Sequence, residues 1–160
     1  YLNSVTEISI EILEKYHLKG LILDVDNTLI DINKNMPESI PKWIENLKRQ
    51  GIALCIVSNT NQKEKVEQVA KKLEIPYIYF AKKPLKSGFK RAKEILKLEN
   101  EQIGVVGDQI MTDIIGANRS HMFPILVKPI DEKDIWITRI KRPIENKIIE
   151  KYKRSQNVHK

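Results

Sequence analysis

The run Gly20-Leu21-Ile22-Leu23-Asp24-Val25-Asp26-Asn27-Thr28-Leu29 decides how the rest of the chain is read. Its first half, 21–25, is a short aliphatic stretch entered through a glycine, the pattern of a strand covered on both faces. Two aspartates, two positions apart, then stand where the apolar run ends. Unpaired buried carboxylates are costly, so this pair makes little sense for stability alone. A bound cation would offset the cost.

Outward from this run, the same alternation repeats. Apolar stretches at 52–57, 77–80, 103–106 and 125–127 read as four more strands. Between them, apolar residues spaced by three and four predict helices over 41–49, 62–73, 87–96 and 111–118, the third beginning at Ser87 as a cap. Strand and helix in alternation predict a three-layer α/β/α, doubly wound, mainly parallel sheet. The chain shows no internal repeat, no Pro/Gly/Ser linker and no low-complexity tract, so 1–160 is expected to form one domain.

Composition narrows the chemistry. A 160-residue chain that is 41% hydrophobic is long enough, and apolar enough, to bury one such sheet. No stretch reaches the roughly 20 apolar residues of a membrane-spanning helix. Cys55 is the only cysteine, which rules out an internal disulfide and a cysteine-cluster zinc site. The three histidines, His17, His121 and His159, have no metal-binding spacing, which leaves oxygen ligands for any ion. No apolar leader stretch is visible, so the expected location is cytoplasmic.

In an open α/β sheet, ligands bind beyond the carboxyl ends of the strands. Polar clusters stand at three such ends: Asp24 to Thr28, Ser58 to Thr60, and Gly107 to Gln109 with Asp113 a helical turn further on. Asp24, Asp26 and Asp108 converge on one crevice if the first and fourth strands are neighbours. Carboxylates without histidine or cysteine specify a hard cation, with Mg²⁺ the expected one. Mg²⁺ keeps positions for water and substrate phosphate, so a phosphate monoester is the substrate class this site suits. Lys83, before Pro84, can add positive charge beside that phosphate, and Ser58 can donate to one of its oxygens. Lys82 and Lys86 are adjacent alternatives to Lys83. Each residue also has a plainer role: turn formers at Asp24, Asp26, Ser58 and Asn59, a helix cap at Asp108, a helical pair at Asp113. Cys55, mid-strand, reads as a small buried apolar residue, and Trp43 and Trp136 as packing.

The sequence DVDNTL at 24–29, SN at 58–59, Lys83 before proline, and GDQIMTD at 107–113 resemble, in order, the four motifs of the haloacid dehalogenase (HAD) superfamily. The chain as a whole is similar to the capless YqeG-type subfamily of HAD subclass IIIA, and through it to phosphatidylglycerophosphate phosphatases. That resemblance implies a phosphomonoester hydrolase working through an aspartyl-phosphate. It makes Asp24 the nucleophile and Asp26 the acid and base. Ser58 and Lys83 would hold the phosphoryl group, with Asn59 near the substrate. The Asp24 carboxylate, the Asp26 backbone carbonyl and Asp108 would hold Mg²⁺, with Asp113 close by or acting through water. Thr28 would brace the loop.

The 34 positions from Asp24 to Ser58, and the 25 from Ser58 to Lys83, leave no room for the cap domains of this superfamily. An open site suits a phosphate carried by something large. Phosphatidylglycerophosphate or another membrane-borne phosphate is therefore the first expectation, and a soluble phosphorylated metabolite or nucleotide the second. A third alternative, a non-catalytic module on RNA or the ribosome, fits the charge. The chain has 28 basic and 21 acidic residues, and +5 of its net +7 falls in 128–160. That basic end includes a helical segment at about 132–155, striped by Ile137, Ile140, Ile144, Ile148 and Tyr152 and broken at Pro143. It is expected either to pack on the core or to draw the protein to the anionic inner face of a membrane.

Overall fold

Successive residues of a strand point to opposite faces, so a strand apolar at every position needs cover on both sides. The structure, a computed structural model that describes residues 1–131, 149–151 and 153–154, supplies that cover. Strands β1 (Gly20–Leu23), β2 (Ala53–Val57), β3 (Tyr77–Ile78), β4 (Ile103–Gly107) and β5 (Phe123–Leu126) form one parallel sheet in the order β3-β2-β1-β4-β5. Leu21, Leu23, Leu54, Ile56 and Val106 face one layer, with helices α1 (Ile10–Lys15), α2 (Ser39–Arg49) and α3 (Lys63–Leu73). Ile22, Cys55, Val57 and Val105 face the other, against α4 (Lys86–Leu96) and α5 (Ile115–Arg119). This is the expected three-layer, doubly wound architecture.

The strand order creates the crevice. From β1 the chain winds outward through β2 and β3, then returns to place β4 on the other side of β1. Ile22 pairs with Cys55 on one flank and with Val105 on the other. The first and fourth strands are therefore neighbours, and their carboxyl ends are the switch point at which such sheets bind ligands. Among the described residues, the connections at 24–38 and 79–85 hold no inserted lid.

Local detail departs from the sequence reading in several places, among them the first strand, which ends at Leu23 instead of Val25. The third strand ends at Ile78 rather than Phe80, because the Phe80 N–H turns away to donate to the Thr60 carbonyl (2.8 Å). Helix α4 starts a residue early, with Leu85 at its cap position; Ser87 lies inside the first turn and caps nothing. The segment expected as a helix over 111–118 opens as a widened π turn, Ile110–Ile114, before continuing as α5. Ahead of β1, α1 is capped by Ser9, whose hydroxyl accepts from the Ile12 N–H (3.2 Å), and Leu2 bridges to Val127 at the edge of the sheet. Trp43 packs as expected, its indole N–H donating to the Ile8 carbonyl (2.9 Å). Burial pushes the Cys55 thiol up to about 12, against a small opposing effect of Arg91, so it stays an inert core group. Of the C-terminal segment, the stripe residues Ile137, Ile140, Ile144, Ile148 and Tyr152, with Trp136 and Pro143, lie outside the described residues. Lys153 is described, and its ammonium sits 4.5 Å over the Tyr1 ring.

Candidate active site

Asp24 is the first residue after β1, and its N–H extends the ladder to the Val106 carbonyl (3.0 Å). Asp108 is the first residue after β4. Two adjacent parallel strands ending in register thus place two carboxylates side by side. The π turn brings in a third: the Asp113 N–H donates to the Gln109 carbonyl (2.9 Å), and the side chain folds back over the end of β4. It lies so close that a β-carbon added at Gly107 would stand 2.0 Å from Asp113 Oδ2. Gly107 is thus fixed by close approach of a carboxylate, since a π turn often marks such a site and only glycine leaves room here.

Ligand oxygens of Asp24, Asp108 and Asp113 lie within 4.8 Å of one another. Among the described residues, a lysine ammonium enters the group. Lys83, its side chain 2% exposed, donates to Asp24 Oδ1 (3.0 Å) and to Asp113 Oδ1 (2.5 Å). Burial alone would depress its pKa; Asp113 and then Asp24 more than reverse that and hold the ammonium above the ordinary lysine value. Burial first, and the charge of Asp24 second, push Asp113 up to about 7 against the pull of Lys83. Three carboxylate side chains converge in a buried place, and such a set of hard oxygen donors fits a divalent cation such as Mg²⁺, which would draw the carboxyl protons off.

The neighbouring residues are supports. Thr28 is buried, and its hydroxyl donates to Asp108 Oδ1 (3.4 Å). Ser58 is also buried at the end of β2, with its hydroxyl accepting from the Thr60 N–H (3.3 Å). Among the three adjacent lysines, only Lys83 points inward; Lys82 and Lys86 are exposed.

Two expected site residues are placed differently. Asp26 does not join the carboxylate cluster; its side chain, 49% exposed, pairs with Lys65 Nζ (2.6 Å) on the first turn of α3. The clustered trio is Asp24, Asp108 and Asp113 instead of Asp24, Asp26 and Asp108. Asn59 has both ends of its amide committed to the backbone of Lys83, accepting from its N–H (2.6 Å) and donating to its carbonyl (3.0 Å). It clamps the lysine. Lys65 was invisible to sequence reasoning; its one signal is a lysine on the helix that follows the polar end of β2.

The family model for haloacid dehalogenase-like hydrolases matches residues 31–121, more than half of the chain. The chain belongs to the haloacid dehalogenase-like hydrolases. It is thus a hydrolytic enzyme. This hydrolase is 36% identical over 99% of its length to a probable phosphatase, YqeG, of Bacillus subtilis, and covers 92% of that protein. Solved structures share the hydrolase fold at lower identity. An uncharacterized protein from Listeria monocytogenes aligns over 74% of this chain and 85% of its own, at 20% identity and a TM-score of 0.59. The cobalt-bound deoxy-D-mannose-octulosonate 8-phosphate phosphatase of Haemophilus influenzae aligns over 58% of this chain and 60% of its own, at 18% identity and a TM-score of 0.51.

Proposed function

We propose that this HAD-type phosphatase hydrolyses phosphate monoesters through a covalent aspartyl-phosphate on Asp24, in an open site suited to a phosphate borne by a large or membrane-embedded molecule. One observation carries the reading: Asp24, Asp108, Asp113 and Lys83 converge at the switch point between β1 and β4. A divalent cation, Mg²⁺ by the chemistry of its donors, would be held by Asp24, Asp108 and the Asp26 backbone carbonyl, with Asp113 adjoining. When bound it neutralises phosphoryl charge.

The chain's own residues then do the following. The Asp24 carboxylate attacks phosphorus, a P–O bond forms to Asp24, and the bond to the leaving oxygen breaks. Asp26 gives its proton to that oxygen. In the second half, Asp26 takes a proton from a water whose oxygen attacks phosphorus, and Asp24 is released. A carboxylate nucleophile divides one hard displacement into two easier ones. Asp26 stands on the rim, held by Lys65, where it can reach a leaving group outside the buried trio. The Ser58 hydroxyl already accepts from Thr60, so its own proton is the one it offers to a phosphoryl oxygen. Lys83 orients Asp24 and offsets its charge, and Asn59 fixes Lys83. Phosphoryl transfer asks chiefly for such positioning and charge neutralisation.

The absence of an inserted lid at 24–38 and 79–85 supports a large substrate, and phosphatidylglycerophosphate is the leading choice. A screen of phosphate esters tests this, running from an aryl phosphate to phosphatidylglycerophosphate in mixed micelles, with Asp24→Asn as the blank. Preference for the lipid by an order of magnitude or more in kcat/KM is the expected result. Equal or better turnover of small soluble esters would replace the substrate reading with a soluble metabolite or nucleotide.

A further inference from the structure

Apolar side chains left exposed on this protein are not scattered. Among the described residues, nine large hydrophobic side chains are exposed, and six of them stand on the loops that leave the carboxyl ends of the strands: Ile32, Tyr79, Phe80, Leu85, Met111 and Ile130. These loops surround the carboxylate cluster. Ile32 lies between β1 and α2, Tyr79 to Leu85 between β3 and α4, and Met111 on the π turn beside Asp113. Ile130 is tied to the loop after β1, its N–H donating to the Asn27 carbonyl (2.9 Å). An apolar rim of this extent on one edge of a protein marks a surface that meets something.

The rim is built to stay outward. Phe80 is 52% exposed and has a left-handed backbone (φ +50°), which a bulky residue adopts only when its surroundings enforce it. The enforcing bonds are visible: Phe80 N–H to Thr60 carbonyl (2.8 Å) and Ala81 N–H to Ser58 carbonyl (2.9 Å). Ala81 is buried, and a β-carbon added at Gly88 would come within 2.8 Å of its methyl. Residues therefore alternate along this loop, Phe80 and Lys82 outward, Ala81 and Lys83 inward. The same turn that delivers Lys83 to Asp24 presents an aromatic ring to solvent. Lys82 also has positive φ (+56°), and its ammonium lies 5.0 Å from the Phe80 ring.

Exposed lysines stand among these apolar tips. Lys34, Lys82 and Lys86 lie on the same loops or at their ends, and segments 79–86 and 109–112 contain no carboxylate. Carboxylates also adjoin the rim, and several of them are engaged: Asp26 pairs with Lys65, Asp31 accepts from the Asn33 and Asn35 N–H groups, Asp24 is held by Lys83, and Asp108 and Asp113 are buried. Aromatic and aliphatic tips interleaved with lysines suit the boundary of a bilayer, where rings sit at headgroup depth and ammonium groups meet anionic phosphates.

The geometry points to the active-site rim itself as the surface that docks on an anionic membrane, with Ile32, Phe80 and Met111 entering the headgroup layer and Lys34, Lys82 and Lys86 meeting its phosphates. This deepens the proposed reading of the site as one for a membrane-borne phosphate and rests on it. It assigns docking to these loops, whereas the sequence reading assigned it to the basic C-terminal segment.

The test uses the full chain and vesicles of phosphatidylglycerol with phosphatidylcholine, against vesicles of phosphatidylcholine alone. Binding is expected on the anionic vesicles and should weaken with salt. Ile32→Asn, Phe80→Asn and Met111→Gln together should lower vesicle partitioning about 100-fold. Asparagine is chosen at Phe80 because it tolerates positive φ. Lys34→Gln, Lys82→Gln and Lys86→Gln together should lower it roughly 10- to 100-fold on anionic vesicles only. Both triple variants should hydrolyse a soluble aryl phosphate at the wild-type rate, which also certifies their fold. A single Phe80→Trp should show quenching by brominated lipid. Unchanged partitioning in the apolar triple, or an unquenched Phe80→Trp, overturns the proposal. So does a wild-type dimer in sedimentation that the apolar triple dissociates, since the rim would then cover a second copy. Loss of aryl phosphate turnover in the wild type would sink the catalytic reading instead, and vesicle binding would judge the rim separately.

Discussion

Gly107→Ala is the substitution that probes the site most directly, because it changes no charge and no ligand. The β-carbon it introduces would stand 2.0 Å from Asp113 Oδ2, 2.2 Å from Cγ and 2.6 Å from Cβ. Non-bonded heavy atoms rest at about 3.5 Å, so the carboxylate has to move by about 1 Å or more. That motion breaks the contact with Lys83 Nζ, where the two side chains are 2% and 1% exposed. Overpacking costs about 1–3 kcal/mol and disruption of a buried pair about 3–5 kcal/mol. Asp24, at 3.0 Å, continues to neutralise the lysine, so the two do not add. A loss of about 3 kcal/mol is expected, which for a domain of this size lowers Tm by about 6–12 °C in EDTA. Mg²⁺ affinity, read by calorimetry, should fall about 10- to 100-fold, as for displaced groups beside a metal. The decisive assay is the double-mutant cycle. In an Asp113→Ala background the clash has no target, and Gly107→Ala should cost less than about 0.5 kcal/mol. Equal cost in both backgrounds would refute the argument, and so would a single variant melting within about 1 °C of wild type.

Four further outcomes are expected. Asp24→Asn should remove turnover by a factor of about 10⁴ or more while thermal unfolding stays cooperative, and wild-type rates on any ester would dismiss the nucleophile. Asp26→Asn should also be severe, but burst kinetics with a good leaving group, which needs no proton, should still show phosphoenzyme. Activity should disappear after metal stripping and return with Mg²⁺, whereas Ca²⁺, with more ligands at longer distance, should bind without supporting turnover; full rates in excess EDTA would contradict this. Stability of the metal-free protein should fall as pH rises. Asp113 has its pKa raised in the folded state, so its favourable contribution is complete below the ordinary carboxylate range and is lost as pH climbs through about 7. Melting curves in EDTA from about pH 5 to 8 should show the decline, Asp113→Asn should flatten it, and Mg²⁺ should raise Tm more at the alkaline end.

The parts of this molecule that the sequence reveals are those with a local cause. Strands β1, β2 and β4 announce themselves because both faces are covered, which forces unbroken apolar runs. Asp24 and Asp108 follow directly from those runs, since each is the first polar residue past a strand end. Residues whose place depends on distant partners were out of reach. Nothing near Asp26 says that Lys65, 39 positions on, takes its carboxylate. Nothing near Asn59 says that its amide grips the backbone of Lys83, 24 positions away. The choice among Lys82, Lys83 and Lys86 follows from an alternation set by hydrogen bonds to Ser58 and Thr60, which the string of letters does not display. Tyr79 and Phe80 misled for a related reason. Their β propensity extends the third strand on paper, whereas the structure spends them on a turn with a left-handed residue. Such local conflicts are expected at functional sites.

Lys83 shows why that conflict is tolerated. A lysine placed among apolar residues would ordinarily give up its proton, because burial disfavours charge. Here two carboxylates hold it ionised, and one of them, Asp113, is itself driven toward its neutral form by burial. Neither group is at ease without the other. The core layers on both faces of the sheet provide the stability that permits this. The polar network is confined to the carboxyl ends of β1 and β4, outside the apolar packing of Leu23, Val57 and Val105. A divalent cation held by these carboxylates would add positive charge, and an incoming phosphoryl group would then meet a site whose charges are already fixed in place. Removing Lys83 alone separates these effects. Lys83→Met keeps the length of the side chain, deletes the cation, and leaves Asp24 and Asp113 opposed. Metal-free Lys83→Met should melt below wild type, and Mg²⁺ should restore most of the difference, since the ion can replace the missing positive charge. Turnover should stay low even at saturating Mg²⁺, because the ion cannot also orient Asp24. If Mg²⁺ restored turnover together with stability, Lys83 would be a counter-ion only, and its orienting role would have to be abandoned.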